Sequence, residues 1–125
     1  MNIALWIVQI LLAAFFLTVG SIKLVIRKDR LAKVLEWIDD FTQNKIRMIG
    51  ALEVIGALGL FLPGVYSVGT FLIPLAAVCL EFVMVIATYT HYQRGERSEM
   101  FVNISIIVLL ALVAILRLAF FPLAA

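Results

Sequence analysis

Long apolar stretches separated by short polar ones set the layout of this chain. Four stand out, running from about Ile3 to Ile26, Ile46 to Leu62, Gly69 to Tyr92 and Phe101 to Phe121. Each reaches or nearly reaches the ~17–25 residues of helix that cross a bilayer core. Lipid offers the backbone no hydrogen-bond partners, so each stretch must bond to itself as a helix. The pattern predicts an all-α, polytopic membrane protein: an antiparallel four-transmembrane-helix bundle in one membrane domain spanning residues 1–125.

The connections differ in kind. Pro63-Gly64 is expected to end the second helix, with Pro63–Val68 as a short turn into the third. Pro74 is expected within the first turn or two of helix three, where a missing N–H costs little; deeper, it would kink the helix. His91–Glu99 reads as a short polar link around Gly95, and Pro122 ends the fourth helix. The first connection, Arg27–Lys45, is longer and patterned. Leu31, Val34, Leu35, Ile38 and Phe41 recur at helical spacing, while Lys28, Lys33, Glu36, Asp39 and Asp40 lie off that stripe. This predicts an amphipathic interfacial helix between helices 1 and 2, with Asp29 capping its start and Trp37 at headgroup depth. Two roles fit it: a lid over a cavity, or a plain connector.

Composition sharpens the class. Hydrophobic residues make up 65% of the 125 and charged residues only 14%, where soluble domains are near half and a quarter. No room is left for a separate soluble domain. The first stretch has no basic segment ahead of it and no evident cleavage site, so it is expected to be retained as a helix rather than removed as a signal peptide. Cys79 is the only cysteine, which rules out an internal disulfide and a C-x-x-C redox pair; it is expected as a small core residue. No basic stripe with interleaved aromatics suggests nucleic acid.

The +2 net charge matters less than its distribution. Arg27, Lys28, Arg30, Lys33, Lys45 and Arg47 lie in or beside the first loop, and Arg94 and Arg97 in the third. An even number of helices separates these loops, so both fall on one side. The positive-inside rule puts that basic side in the cytoplasm and both termini outside, in what is expected to be the bacterial cytoplasmic membrane.

The candidate chemistry is polar residues inside apolar runs. A charge near mid-membrane costs about 3 kcal/mol on insertion scales, so such residues usually meet a partner or a water-filled cavity. Counting ~1.5 Å of rise per residue, Lys23, Glu53, Glu81, His91 and Asn103 all fall between mid-membrane and the basic surface. Helical periodicity also aligns them into stripes. Gln9, Ala13, Phe16, Gly20 and Lys23 share one; Gly50, Glu53 and Ala57 another. Glu81, Met84, Thr88 and His91 form a third, and Asn103, Ile107, Leu110, Ala114 and Arg117 a fourth. Turning all four inward is the economical packing, and Gly50, Gly56, Ala57 and Gly59 would let backbones approach.

This gives a ligand-binding or structural polar cluster of Lys23, Glu53, Glu81, Thr88, His91 and Asn103. Lys23 and Glu53 are expected to pair. Glu81, if it stays without a cation and takes up a proton, would donate a hydrogen bond to a ligand or form a relay through Thr88 to His91. His91 is the only histidine, the residue type that changes charge near neutrality. The bland alternatives are a structural ion pair at Lys23–Glu53, helix-packing hydrogen bonds at Glu81 and Asn103, an interfacial His91 with no special role, and an end anchor at Arg117 snorkelling to the surface. One His cannot supply two axial ligands to a haem. Glu81 and His91 differ in depth by ~15 Å, too far for one metal ion. Phosphate-binding glycine signatures are absent, and no serine has a convincing partner base.

At these residues the chain resembles the DoxX-like family of small four-helix membrane proteins. The resemblance rests on Ala14–Leu24, ending Gly20-Ser21-Ile22-Lys23-Leu24. It rests more specifically on Ile49-Gly50-Ala51-Leu52-Glu53-Val54-Ile55-Gly56-Ala57-Leu58-Gly59-Leu60, and adds His91-Tyr92-Gln93-Arg94-Gly95-Glu96. It implies a four-helix integral membrane fold and carries Lys23, Glu53 and His91 over as family positions, but not Glu81. The family takes its name from a subunit of a thiosulfate–quinone oxidoreductase, other members are tied to redox or oxidative-stress systems, and distant animal relatives assist receptor assembly.

Three functions follow as expectations. The first is a redox-associated accessory subunit binding a quinone-like or other lipophilic small molecule in a polar intramembrane pocket. The second is a membrane-protein assembly or accessory factor whose polar cluster is structural. The third is a small proton-coupled exporter, ranked last because the first helix carries no glutamate. Expected partners are the lipid bilayer and either partner membrane subunits or further copies of the chain. The charge bias predicts that a reporter active only in the cytoplasm, fused after Ala125, will be silent; activity there would reverse the orientation.

Overall fold

The computed structural model describes residues 2–33, 35, 38 and 41–120. Four long helices are apolar enough to cross a membrane: α1 (Asn2–Val25), α3 (Gln43–Tyr66), α4 (Leu72–Gln93) and α5 (Arg97–Ile115). A single turn, α2 (Lys28–Leu31), lies between the first two, and α5 runs on into a π-helical turn, Leu116–Phe120. Around the bundle, α1 packs on α3, α3 on α4 and α4 on α5. Contact between α5 and α1 closes the ring over a much shorter length.

Local chemistry sets the helix ends. Thr42 caps α3, its hydroxyl accepting the Lys45 N–H at 3.2 Å. α3 does not stop at Pro63 as expected but continues to Tyr66. Pro63 removes one backbone bond, and within a bilayer neighbouring groups make that tolerable. The helix instead ends at Ser67, which adopts a left-handed φ of 53° while the Val68 N–H returns to the Pro63 carbonyl at 3.2 Å. Pro74 is the third residue of α4, where its missing N–H breaks no intrahelical bond. At the other end of α4, Gly95 takes φ 73° and the Glu96 N–H closes on the His91 carbonyl at 2.9 Å.

The interior has two apolar parts. The larger includes Leu12, Phe16, Ala57, Leu60, Ile73, Leu80, Met84, Leu110 and Val113, drawn from all four long helices. The smaller joins Leu31, Ile38 and Ile46, with Ile26, Leu35 and Phe41 packed against it, below the basic ends of α1 and α3. So part of the apolar stripe expected in the first loop does bury itself. Val34, Glu36, Trp37, Asp39 and Asp40 of that loop lie outside the described residues, as does the final stretch with Pro122. Asp29 does not cap α2. Arg27 holds the cap position without a side-chain bond, and Asp29 pairs with it at 3.7 Å on the exposed surface. Cys79 is exposed rather than core. A small apolar residue is as comfortable against lipid as against protein, so its chemistry carried no signal.

The tightest approach is that of α1 on α3. A Cβ placed on Gly20 would lie 2.7 Å from the Gly50 carbonyl oxygen, and one on Gly50 would lie 2.7 Å from the Gly20 carbonyl oxygen. Only glycine fits on either side. Gly50→Ala is therefore expected to destabilise the bundle by about 1–3 kcal/mol, the usual cost of overpacking. Thermal unfolding in mild detergent reads this out, and an unchanged melting temperature would mean the crossing has slack.

Candidate functional site

Each long helix turns most of its polar stripe inward, with Glu81 of α4 left at the margin. Following the buried residues toward the basic end shows what the inside contains. On α1, Phe16 is followed by Gly20; on α3, Ala57 and Gly56 are preceded by Glu53 and Gly50. On α4 the buried residue after Met84 is His91, and on α5 the one before Leu110 is Asn103. Between the main core and the interfacial cluster the bundle thus buries only Gly20, Gly50, Glu53, His91 and Asn103 from these helices. It is a polar layer between two apolar ones.

The Gly20–Gly50 crossing positions the first pair in this layer. Lys23 and Glu53 each sit three residues beyond a crossing glycine, so both project near the same seam. Lys23 Nζ donates to Glu53 Oε1 at 2.6 Å, with the Glu53 side chain 2% exposed and that of Lys23 13%. The expected approach of these residues is present. Each charge compensates the other, which is what keeps both tolerable away from water.

The remaining candidates divide. His91 Nδ1 lies 2.9 Å from Glu96 Oε1, and Arg94 Nε donates to the same oxygen at 3.2 Å. This ties the α4–α5 turn together at the basic surface. Thr88 donates to its own helix carbonyl, that of Met84, at 2.7 Å. Asn103 is only 9% exposed, yet its amide has no hydrogen-bond partner among the described residues. Glu81 is half-buried near mid-helix, also without a partner among the described residues. Glu81, Thr88 and Asn103 are joined to the Lys23–Glu53 pair by no described hydrogen bond.

Opposite the polar layer, toward the chain termini, lies a second network that the sequence reading missed. Arg117 does not snorkel: it is 3% exposed and turned inward. Its Nε donates to Gln9 Oε1 at 2.6 Å, its Nη1 to Asn2 Oδ1, and its carbon centre stacks 5.6 Å over the Trp6 ring. Gln9 in turn donates to the Leu60 carbonyl at 2.9 Å. The guanidinium grips three residues of α1, its planar fork serving several acceptors at once, and Gln9 carries the link on to α3. Gln9 and Arg117 lie at similar depths from the same face of the bundle, and that match was the available clue.

A shallow groove of about 180 Å³ runs along α1 and α3, lined by Ile10, Ala13, Ala14, Leu17, Ala57, Leu58 and Phe61. It is apolar throughout and suited to hydrocarbon.

Four helices long and apolar enough to span a membrane, packed as one bundle, define a multi-pass membrane protein. Its family is also defined: the family model for the DoxX-like family matches residues 7–115, and the chain belongs to it. No curated protein and no solved structure matched the chain.

The geometry predicts coupling between the ion-paired residues. Removing one member of a buried pair costs about 3–5 kcal/mol, while removing both often costs less. Glu53→Gln should therefore lower the melting temperature more than the double change Glu53→Gln with Lys23→Met. Additive losses across that cycle would show the two side chains to be independent.

Proposed function

We propose that this DoxX-like protein is a redox-associated accessory subunit that holds a quinone-like or other lipophilic small molecule, its polar end in the layer beside Asn103. The observation that carries the reading is the unpaired Asn103 amide. Asn103 makes no hydrogen bond among the described residues, so its amide is available to a ligand. An amide offers both a donor and an acceptor. Its Nδ2 would donate to a quinone carbonyl, and its Oδ1 would accept from the hydroxyl of the reduced form. One residue would thus hold both redox states. The Lys23–Glu53 pair supports the reading by supplying fixed charge in the same layer. By the charge bias, the basic face with His91 and Glu96 would look into the cytoplasm of a bacterial cell.

The test is mass spectrometry of small molecules retained after mild purification, on the wild type and on Asn103→Leu. Wild type should retain a quinone or similar lipid-soluble carbonyl compound, and Asn103→Leu should lose it while melting at the same temperature or higher. The same retained molecules in both proteins would remove Asn103 from any site.

The alternative, an assembly or accessory role, is favoured by a different residue, Glu81.

A further inference from the structure

The charged side chains buried within the spans are satisfied by the chain itself. Lys23 and Glu53 meet each other, and Arg117 meets Gln9, Asn2 and the Trp6 face. Glu81 differs. It lies 9 residues after the first residue of α4 and 12 before the last, hence ~14 and ~18 Å from its two ends and close to mid-bilayer. It sits at the margin of the buried face of α4. Ala77, Leu80 and Met84 are buried on one side, and Val78, Phe82 and Val85 are exposed on the other. Its carboxyl has no partner among the described residues and is reachable from outside the bundle.

A carboxyl placed at this margin borders lipid, costly surroundings for it. We infer that the Glu81 margin of α4 is a docking surface for a transmembrane helix of another protein carrying one lysine or arginine at mid-bilayer depth. Charge complementarity selects that occupant. A cation gives the carboxylate a charge-assisted hydrogen bond, about twice as strong as a neutral one, and the incoming basic group gains its own partner in the same contact. A second copy of the chain is a poorer match, since symmetry would bring only another Glu81 to the same depth. The flanking Val78, Phe82 and Val85 would pack against the incoming helix by shape alone, because lipid is as apolar as they are. Nothing here depends on the small-molecule reading above, which concerns Asn103 on a different helix.

The test uses the purified full chain in lipid nanodiscs and synthetic polyleucine transmembrane helices. One helix carries a single central lysine and the control carries alanine there; association is followed by energy transfer between labels. The lysine helix should bind wild type about tenfold more tightly than the control, the scale of one good intramembrane polar contact. Glu81→Leu should bring both helices to the control level. Glu81→Gln, which keeps the size of the side chain, should lose most of the preference, and thermal melts of each variant confirm that it is folded. Equal binding of the two helices to wild type overturns the proposal, as does an undiminished preference in folded Glu81→Gln. Self-association of the chain that disappears in Glu81→Leu, with no preference for the lysine helix, overturns it in favour of a second copy.

Discussion

The contact on which the rest depends is the glycine-to-glycine crossing of α1 and α3. At Gly20 and Gly50 the two backbones come so close that a single methyl group has no place to go. Lys23 borders Gly50 at this crossing, and its long side chain reaches one turn along α3 to bring Nζ within 2.6 Å of Glu53. In water such a pair would contribute little, because solvent already satisfies both charges. Inside a bilayer neither charge is tolerable alone, so the crossing and the pair require each other. Close backbones bring the charges together, and the paired charges fix the register of the helices.

The rest of the bundle is arranged around that fixed corner. The main apolar core occupies the middle and terminal side, where Phe16, Leu60, Leu80 and Leu110 meet. A smaller apolar cluster around Ile38 and Ile46 covers the basic end. What lies between is small or polar, and so that layer is where side-chain chemistry, rather than packing alone, shapes the interior.

Much of this was readable from residue order. Apolar run length specified the four spans, and polar residues at helical spacing inside those runs picked out their inward faces, since a charge in lipid tolerates few orientations. Gly50 stood among the small residues expected to let backbones approach, but that Gly20 is its partner in the crossing could not be read from residue order. What could not be read were features on which lipid exerts no pressure, or for which the decisive partner is distant in sequence. Cys79 faces outward because an apolar side chain is equally at home on both sides of a membrane helix. Arg117 looked like an end anchor because nothing near it in the sequence announced Gln9, 108 residues away. Pro63 looked like a stop because in water it would be one; the bilayer removes the alternative of solvating the chain, and the helix continues to Tyr66.

The Arg117 network also bears on how the chain is made. Helices enter the membrane in order of synthesis, the N-terminal one first. α1 therefore arrives carrying Gln9 and Lys23 before any of their partners exist. The arrival of α3 supplies Glu53 for Lys23 and the Leu60 carbonyl for Gln9. Arg117, near the end of the last helix, then closes the set by gripping the first. The newborn chain passes through stages in which α1 is held in lipid with open polar groups. Until the last helix arrives, part of the polar inventory of α1 lacks its partner within the chain.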